Sequence, residues 1–394
     1  MKRRKKSRKW QYAAIFVFSL IIVLAAGAVV IQSMKKPAES AEMTEPLETA
    51  EIVLESKELT LDEKADRIVA KMTDGEKIGQ MTIIGITGTE INEDARYMLH
   101  EFNAGGVIMF DRNMQSRQQV AELNKALQKE AGILPLFIAI DEEGGIVARM
   151  KSELEPPPSQ QEIGTLDADN ARQWAVKISR DLKQMGFNLN FAPVADVGSP
   201  DSRSFSDDEQ IVSAFVQAAV KGYDEEKMLC SLKHFPGIGR GREDSHSDTV
   251  LVDASRDELE RVDMLPFRRM IETGGDNWLV MVTHVNYPAL DEENPASLSS
   301  EIMQKILRQE LGYDGIIITD DLEMGAISKH YTFSQAAVKA VQAGADIVLT
   351  CHEYEHEIEV YNALLKALQN GEISKERINS SVRRIVKAKL KYLM

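Results

Sequence analysis

The run "GIIITDDLEMGAI", residues 315–327, places three consecutive isoleucines directly before two aspartates. An apolar run without polar alternation reads as a strand buried on both faces, the mark of a parallel sheet covered by helices. The pattern recurs along the chain. Strand-like runs fall at 81–86, 106–110, 136–140, 187–191, 228–232, 278–282, 315–319 and 345–349. Amphipathic runs follow them at 93–101, 116–131, 168–185, 207–225, 255–272, 299–311, 333–343 and 355–370. Eight strands, each followed by a helix, predict an α/β chain folded as a (β/α)8 TIM-like barrel, a single catalytic domain over residues 59–394. An open dinucleotide-binding sheet fits less well. No strand leads into G-x-G-x-x-G, and "GIGRGRE" follows His-Phe-Pro-Gly rather than a strand.

In such a barrel the chemistry gathers at the C-terminal ends of the strands. Asp141, Glu142 and Glu143 follow the third run, with Arg149 beyond them, and Arg203 closes the loop after the fourth. Lys233 and His234 follow the fifth run, Thr283 and His284 the sixth, Asp320 and Asp321 the seventh, and Cys351 and His352 the eighth. One of the paired aspartates is expected to cap the next helix and the other to point inward. Glu142 and Glu143 are expected to neutralise nearby cations, and His284 and His352 to be satisfied core histidines. Downstream of His234, "PGIGRGREDSH" forms a glycine-rich loop carrying Asp244 and His246. An aspartate two residues from a histidine can fix its tautomer and raise its basicity, so that it exchanges a proton near neutral pH.

The chain has 394 residues, a net charge of −15 and 28% charged residues. In residues 1–12, Lys2, Arg3, Arg4, Lys5, Lys6, Arg8 and Lys9 stand without an acid, so the remainder is more acidic still. That balance argues against nonspecific nucleic-acid binding. Residues 13–31 carry no charge and span about 28 Å as a helix, close to the hydrocarbon thickness of a bilayer. Trp10 and Tyr12 sit at its boundary. A cleaved signal peptide is the competing reading, with Ala26-Gly-Ala28 as the cleavage site, but apolar residues continue past it. The expectation is an uncleaved transmembrane helix, a cytoplasmic tail at 1–12, a linker at 32–58, and a catalytic domain outside a single-pass cell membrane. Cys230 and Cys351 lie in apolar runs and are expected as buried free thiols.

Together these residues resemble family 3 of the glycoside hydrolases, in particular its bacterial β-N-acetylglucosaminidases. The resemblance is carried by "GGVIMFDRN" (105–113), "IDEEGGIVAR" (140–149), "NFAPVADV" (190–197), "RSF" (203–205), "KHFPGIG" (233–239), "DSH" (244–246), "VTHVNYPALD" (282–291) and "ILRQELGYDGIIITDDLEMGAI" (306–327). It implies that Asp320 is the nucleophile, that His246 is the general acid/base with Asp244 as its partner, and that Asp141, Arg149, Arg203, Lys233 and His234 hold the non-reducing sugar. Glucosidases and xylosidases of the family usually draw the acid/base from a glutamate on a second domain. The Asp-Ser-His loop favours the N-acetylglucosaminidase branch. One position departs: "FPGHG" in the family pattern is "FPGIG" here, with Ile238 in place of histidine. Altered loop packing or altered subsite contacts are expected, not loss of activity.

The resemblance implies a retaining β-N-acetylglucosaminidase that releases terminal N-acetylglucosamine (GlcNAc) from peptidoglycan-derived glycans, without a cofactor. A phosphorylase with phosphate as acceptor is the alternative enzyme, because a histidine acid/base would not repel an anion. A catalytically weak wall-glycan-binding protein is the alternative outside enzymes. A metal site on His234, Asp244 and His246 is not expected, because these lack H-x-x-x-H or H-E-x-x-H spacing.

Overall fold

Eight parallel strands close into a barrel in a computed structural model that describes residues 59–149, 151, 153–199, 201–239 and 250–394. They are β1 Thr82–Ile84, β2 Gly106–Met109, β3 Phe137–Ile140, β4 Leu189–Asn190, β5 Leu229–Phe235, β6 Trp278–Val282, β7 Ile317–Asp321 and β8 Ile347–Thr350. Each pairs with its neighbour in sequence, and β8 returns to β1 with Thr82 opposite Val348 and Ile84 opposite Thr350. Every strand residue is buried except Asp320 in β7. Burial on both faces explains the absence of alternation in the sequence. Cys230 and Cys351 are buried free thiols, as expected.

Helices lie between the strands close to the expected places; Glu93–Glu101 and Phe333–Ala343 match their expected bounds. Several start at reciprocal caps, including Thr60 with Glu63, Ser159 with Glu162 and Thr332 with Gln335. The run at 255–272 is not one regular helix. A π-helical turn, Leu259–Asp263, precedes Leu265–Thr273, and Glu301–Glu310 is π-helical throughout.

Two helices before β1, Leu61–Lys71 and Asp74–Gln80, and the helix Lys375–Tyr392 were not expected. The last buries Ile378, Val382, Ile385 and Val386 and carries a buried lysine on the same face. Lys389 Nζ donates to Gln80 Oε1 at 2.6 Å and to Gly105 O at 2.7 Å, and lies 4.7 Å from the centre of the Phe137 ring. Gly105 and Phe137 mark the N-terminal ends of β2 and β3, so this lysine seals the end of the barrel opposite the site. Burial holds its pKa well below the ordinary lysine value.

Two strand ends differ from expectation. β5 extends through Lys233 and His234 to Phe235, and β7 includes both aspartates. Pairing continues to the rim because each strand shifts register there, β5 against β6 and β7 against β8. The tail 1–12, the transmembrane segment 13–31 and the linker 32–58 lie outside the described residues. Among the described residues no helix is long and apolar enough to cross a membrane.

Candidate active site

The C-terminal rim encloses a cavity of about 380 Å³, within the ordinary range of ligand clefts. Asp141, Arg149, Arg203, Lys233, His234 and Asp320 all line it. Strand ends on four sides of the barrel therefore bring together six of the eight expected site residues. Asp244 and His246 lie outside the described residues. They fall between Ile238, which lines the cavity, and Leu251, which bridges to Asn286.

Lys233 is the electrostatic centre. Its Nζ lies 2.6 Å from Asp141 Oδ1 and 2.6 Å from Glu143 Oε1. Arg203 grips the same glutamate through two parallel bonds of 2.8 Å, from Nε to Oε2 and from Nη2 to Oε1. Burial pushes the Glu143 carboxyl up, but Lys233 and Arg203 outweigh it and hold it at about 2. Burial opposes the charge on Lys233, and Asp141 with Glu143 more than restores it. Arg149 reaches Asp111 Oδ2 at 3.1 Å and Asp141 Oδ2 at 3.9 Å. The result is a rigid set of charged donors and acceptors suited to binding hydroxyl and amide groups.

His234 belongs to a second buried pair. Its Nδ1 lies 2.8 Å from Asp196 Oδ2, while Asp196 Oδ1 accepts the amides of His234 and Ile238 at 3.1 and 2.9 Å. A carboxylate only accepts, so Nδ1 carries a proton, while Nε2 lies 3.5 Å from Arg203 Nη2. Asp196 escaped the sequence reading. It lies in "NFAPVADV", but nothing local distinguishes it from a loop aspartate; only the barrel brings it under His234. Ile238 lines the cavity and its amide still anchors the loop on Asp196, so the change from histidine leaves this anchor intact.

Asp320 accepts the amide of Asp321 at Oδ1, at 2.9 Å. Burial raises the Asp320 pKa, but His234, His284, the Asp321 amide and Lys233 outweigh it and leave it below the ordinary value. The carboxylate is thus ionised at neutral pH, as a nucleophile must be. Asp321 accepts the Glu323 amide at 3.1 Å and also lines the cavity. The next helix, Gly325–Ser328, starts at Met324 without a side-chain cap, so neither aspartate caps it as expected.

The two histidines part company. His284 is a satisfied core residue, as expected. His352 is not: it is half-exposed on the cavity wall, with Nε2 3.2 Å from Asp321 Oδ2 and Nδ1 3.1 Å from Arg112 Nη1. It stands four residues before His356, a spacing used by metal ligands, and its ring nitrogen comes within 4.8 Å of Asp321 and Glu323 oxygens. Those oxygens are already engaged. Glu323 accepts the amides of Cys351, His352 and Glu353 and meets His356 Nδ1 at 2.6 Å, which organises the loop after β8 instead.

Glu142 and Glu143 also diverge. The turn between them and Val147 uses Gly144 and Gly145 at φ of 101° and 58°, values that favour glycine. Glu143 faces the cavity and neutralises two cations. Glu142 faces away: its Oε2 accepts the Arg149 amide at 2.7 Å, and among the described residues its buried Oε1 has no partner. Burial pushes its pKa up to about 7. An acid whose folded pKa exceeds its unfolded value near 4.5 costs stability as pH rises from 4.5 to 7, after which the cost is constant. Glu142→Gln is therefore expected to match the wild-type Tm near pH 4.5 and exceed it by several degrees at pH 8. Scanning calorimetry at the two values checks this, and a gap independent of pH would contradict it.

A second hollow of about 300 Å³ opens at the other end of the barrel, around Trp278, Tyr313 and Arg384. It sits beside the N-terminal starts of β6 and β7, where barrel residues serve stability rather than chemistry.

A closed eight-stranded barrel with an ionised carboxylate at one strand end, facing a buried array of hydroxyl-binding charges, defines a TIM-barrel enzyme for polar substrates. The family model of the glycosyl hydrolase family 3 N-terminal domain matches residues 73–388. A beta-hexosaminidase of Stenotrophomonas maltophilia (strain R551-3) is 37% identical over 305 residues, 75% of this chain and 88% of the relative. The beta-hexosaminidase A of Pseudoalteromonas piscicida is 34% identical over 77% of this chain, but the match spans only 56% of that longer protein. Among solved structures, a family 3 β-N-acetylglucosaminidase from Paenibacillus sp. str. FPU-7 superposes with a TM-score of 0.78 at 39% identity, over 82% of this chain and 63% of that one. The chain belongs to glycoside hydrolase family 3.

Proposed function

We propose that this glycoside hydrolase is a β-N-acetylglucosaminidase that removes the non-reducing terminal GlcNAc of peptidoglycan-derived glycans with retention of configuration. Asp320 attacks the anomeric carbon and the glycosidic C–O bond breaks as His246 protonates the leaving oxygen. His246 then takes a proton from water, which attacks the glycosyl-enzyme and releases Asp320. Asp244 orients His246; Asp141, Arg149, Arg203, Lys233 and His234 hold the sugar. The observation that carries the reading is Asp320 itself, the sole barrel-strand residue that escapes burial, aimed into a cavity walled by the Asp141–Lys233–Glu143–Arg203 array. The names of the relatives support the sugar class.

Wall glycans follow from the proposed location: an anchor at residues 13–31 holding the barrel outside the cell membrane. No cofactor or nucleic acid enters this scheme. The test is to incubate the full chain with a GlcNAc–N-acetylmuramic acid muropeptide, with and without phosphate, and to follow products by NMR. β-GlcNAc as the first-formed sugar in both cases is expected. GlcNAc 1-phosphate would replace the hydrolase by the phosphorylase, and binding without release would replace it by a wall-binding protein.

A further inference from the structure

The backbone that carries Asp320 is irregular. Val282 pairs with Thr319 across β6 and β7, and no further register pair follows between those strands. On the other edge, Ile318 pairs with Ile347 and Asp321 with Leu349, so β7 takes three steps where β8 takes two. This is a bulge, the device that re-aims a side chain beside an active site. A bulge interrupts the ladder, so the groups around Asp320 need other partners.

Side chains supply them. On the β8 edge, the Leu349 amide donates to Thr319 Oγ1 at 3.1 Å, and the Leu322 amide donates to Leu349 O at 2.9 Å. On the β6 edge, His284 Nε2 lies 2.8 Å from Asp321 O. The Asp321 carbonyl and the Leu322 amide belong to one peptide group, which is therefore pinned from both sides, by an imidazole and by a strand. The amide at the other end of Asp321 holds the Asp320 carboxylate.

His284 is itself immobilised. A carbonyl only accepts, so Nε2 carries the proton and Nδ1 accepts from Ser297 Oγ, 2.7 Å away. Ser297 is tied back by its amide to Thr283 O at 2.9 Å. Burial disfavours the charged ring, although Asp320 and Asp321 oppose that effect, and the pKa lies below the ordinary histidine value.

We infer that His284 is a positioning residue for the nucleophile: its imidazole replaces a missing ladder donor and fixes the bulge that aims Asp320 at the cavity. This rests on the reading of Asp320 as nucleophile. His284 does not line the cavity, so its loss affects the attack and not the binding of the sugar.

The test compares His284→Leu, His284→Gln, Ser297→Ala and Asp320→Asn in the full chain with an aryl β-N-acetylglucosaminide. His284→Leu is expected to lower kcat by about 10- to 100-fold, the effect of a displacement near 1 Å. KM and the inhibition constant of free GlcNAc stay within about threefold, since the sugar-binding array is untouched. Both limbs of the pH profile stay in place, and His284→Gln, which keeps an N–H donor, recovers most of the rate. Ser297→Ala frees the ring without removing it and gives a smaller fall in kcat at unchanged KM; it stands in if His284→Leu does not fold. Wild-type kcat in folded His284→Leu or in Ser297→Ala, with Asp320→Asn inactive, overturns the inference alone. Loss of a pH limb in His284→Gln also overturns it, because His284 would then be a proton carrier. Activity retained in Asp320→Asn overturns the nucleophile assignment and the inference with it.

Discussion

Asp320→Ala is expected to lower kcat for an aryl β-N-acetylglucosaminide by about 10³-fold or more, the range in which removal of an essential group falls. The loss should be one of rate. In the proposed mechanism Asp320 contributes a carboxylate to the reaction, whereas the sugar is held by Asp141, Lys233 and Arg203, which reach the cavity from other parts of the rim. The folded state should not suffer, because among the described residues Asp320 makes no short ion pair like those around Lys233, and it is the barrel-strand residue that is not buried. Azide sharpens the experiment. A small anion can enter the space left by the carboxylate and attack from the same face, giving the α-glycosyl azide and restoring part of the rate. Steady-state kinetics and product NMR check both statements. Near-normal turnover in Asp320→Ala would refute the assignment.

Lys233→Met carries the second large effect, and it falls on stability as well as binding. The substitution keeps the length of the side chain but leaves Asp141 without its 2.6 Å partner and Glu143 with Arg203 alone. Removing one member of a buried ion pair costs about 3–5 kcal/mol, chiefly because the remaining charge stays buried. Binding should weaken about 10- to 100-fold, the worth of one hydrogen bond from a charged donor. The pH dependence follows from the same pairing. In the wild type Glu143 is held at about 2, so its stabilisation is fully present above pH 4.5 and lost as pH falls toward 2. In the variant Glu143 has less reason to stay ionised and protonates at higher pH. The stability gap is therefore expected to be widest near pH 7 and to narrow toward pH 4, which urea titrations at both values would show. An equal gap at both would mean the loss comes from packing.

The barrel was legible because parallel strands buried on both faces must be written in apolar residues. The isoleucines of β7 and the residues Phe137–Ile140 of β3 allow no other face to be exposed. The rim was legible by the same logic in reverse, since a charged residue directly after such a run has only the strand end to occupy. Asp141, Lys233, His234 and Asp320 converge for that reason. What sequence order could not convey was direction. Glu142 and Glu143 are identical neighbours, yet the Gly144–Gly145 turn sends one into the cavity and the other into a dry pocket. His284 and His352 each follow a strand end within two or three residues of its apolar run. One is locked under the bulge and the other stands half-exposed at the cavity.

Asp196 and Lys389 were illegible for a different reason, because their partners are remote. The carboxylate of Asp196 meets a histidine 38 residues on, and the ammonium of Lys389 meets a carbonyl 284 residues back. The helix Lys375–Tyr392 hid an apolar stripe, Ile378, Val382, Ile385 and Val386, among lysines and arginines. That its lysine at position 389 belongs to the buried face is a fact of closure at the far end of the barrel, where the buried ammonium finds Gln80 and Gly105.

The most direct measurement is covalent trapping with 5-fluoro-N-acetylglucosaminyl fluoride. Fluorine at C5 slows both steps by disfavouring the oxocarbenium-like transition state, and the fluoride leaving group speeds the first, so a glycosyl-enzyme accumulates. Digestion and mass mapping should find one added N-acetyl-fluorohexosaminyl group, carried by Asp320 and absent in Asp320→Asn. A label on any other residue, or turnover of the reagent by a fully active enzyme with no label at any time, would contradict the account.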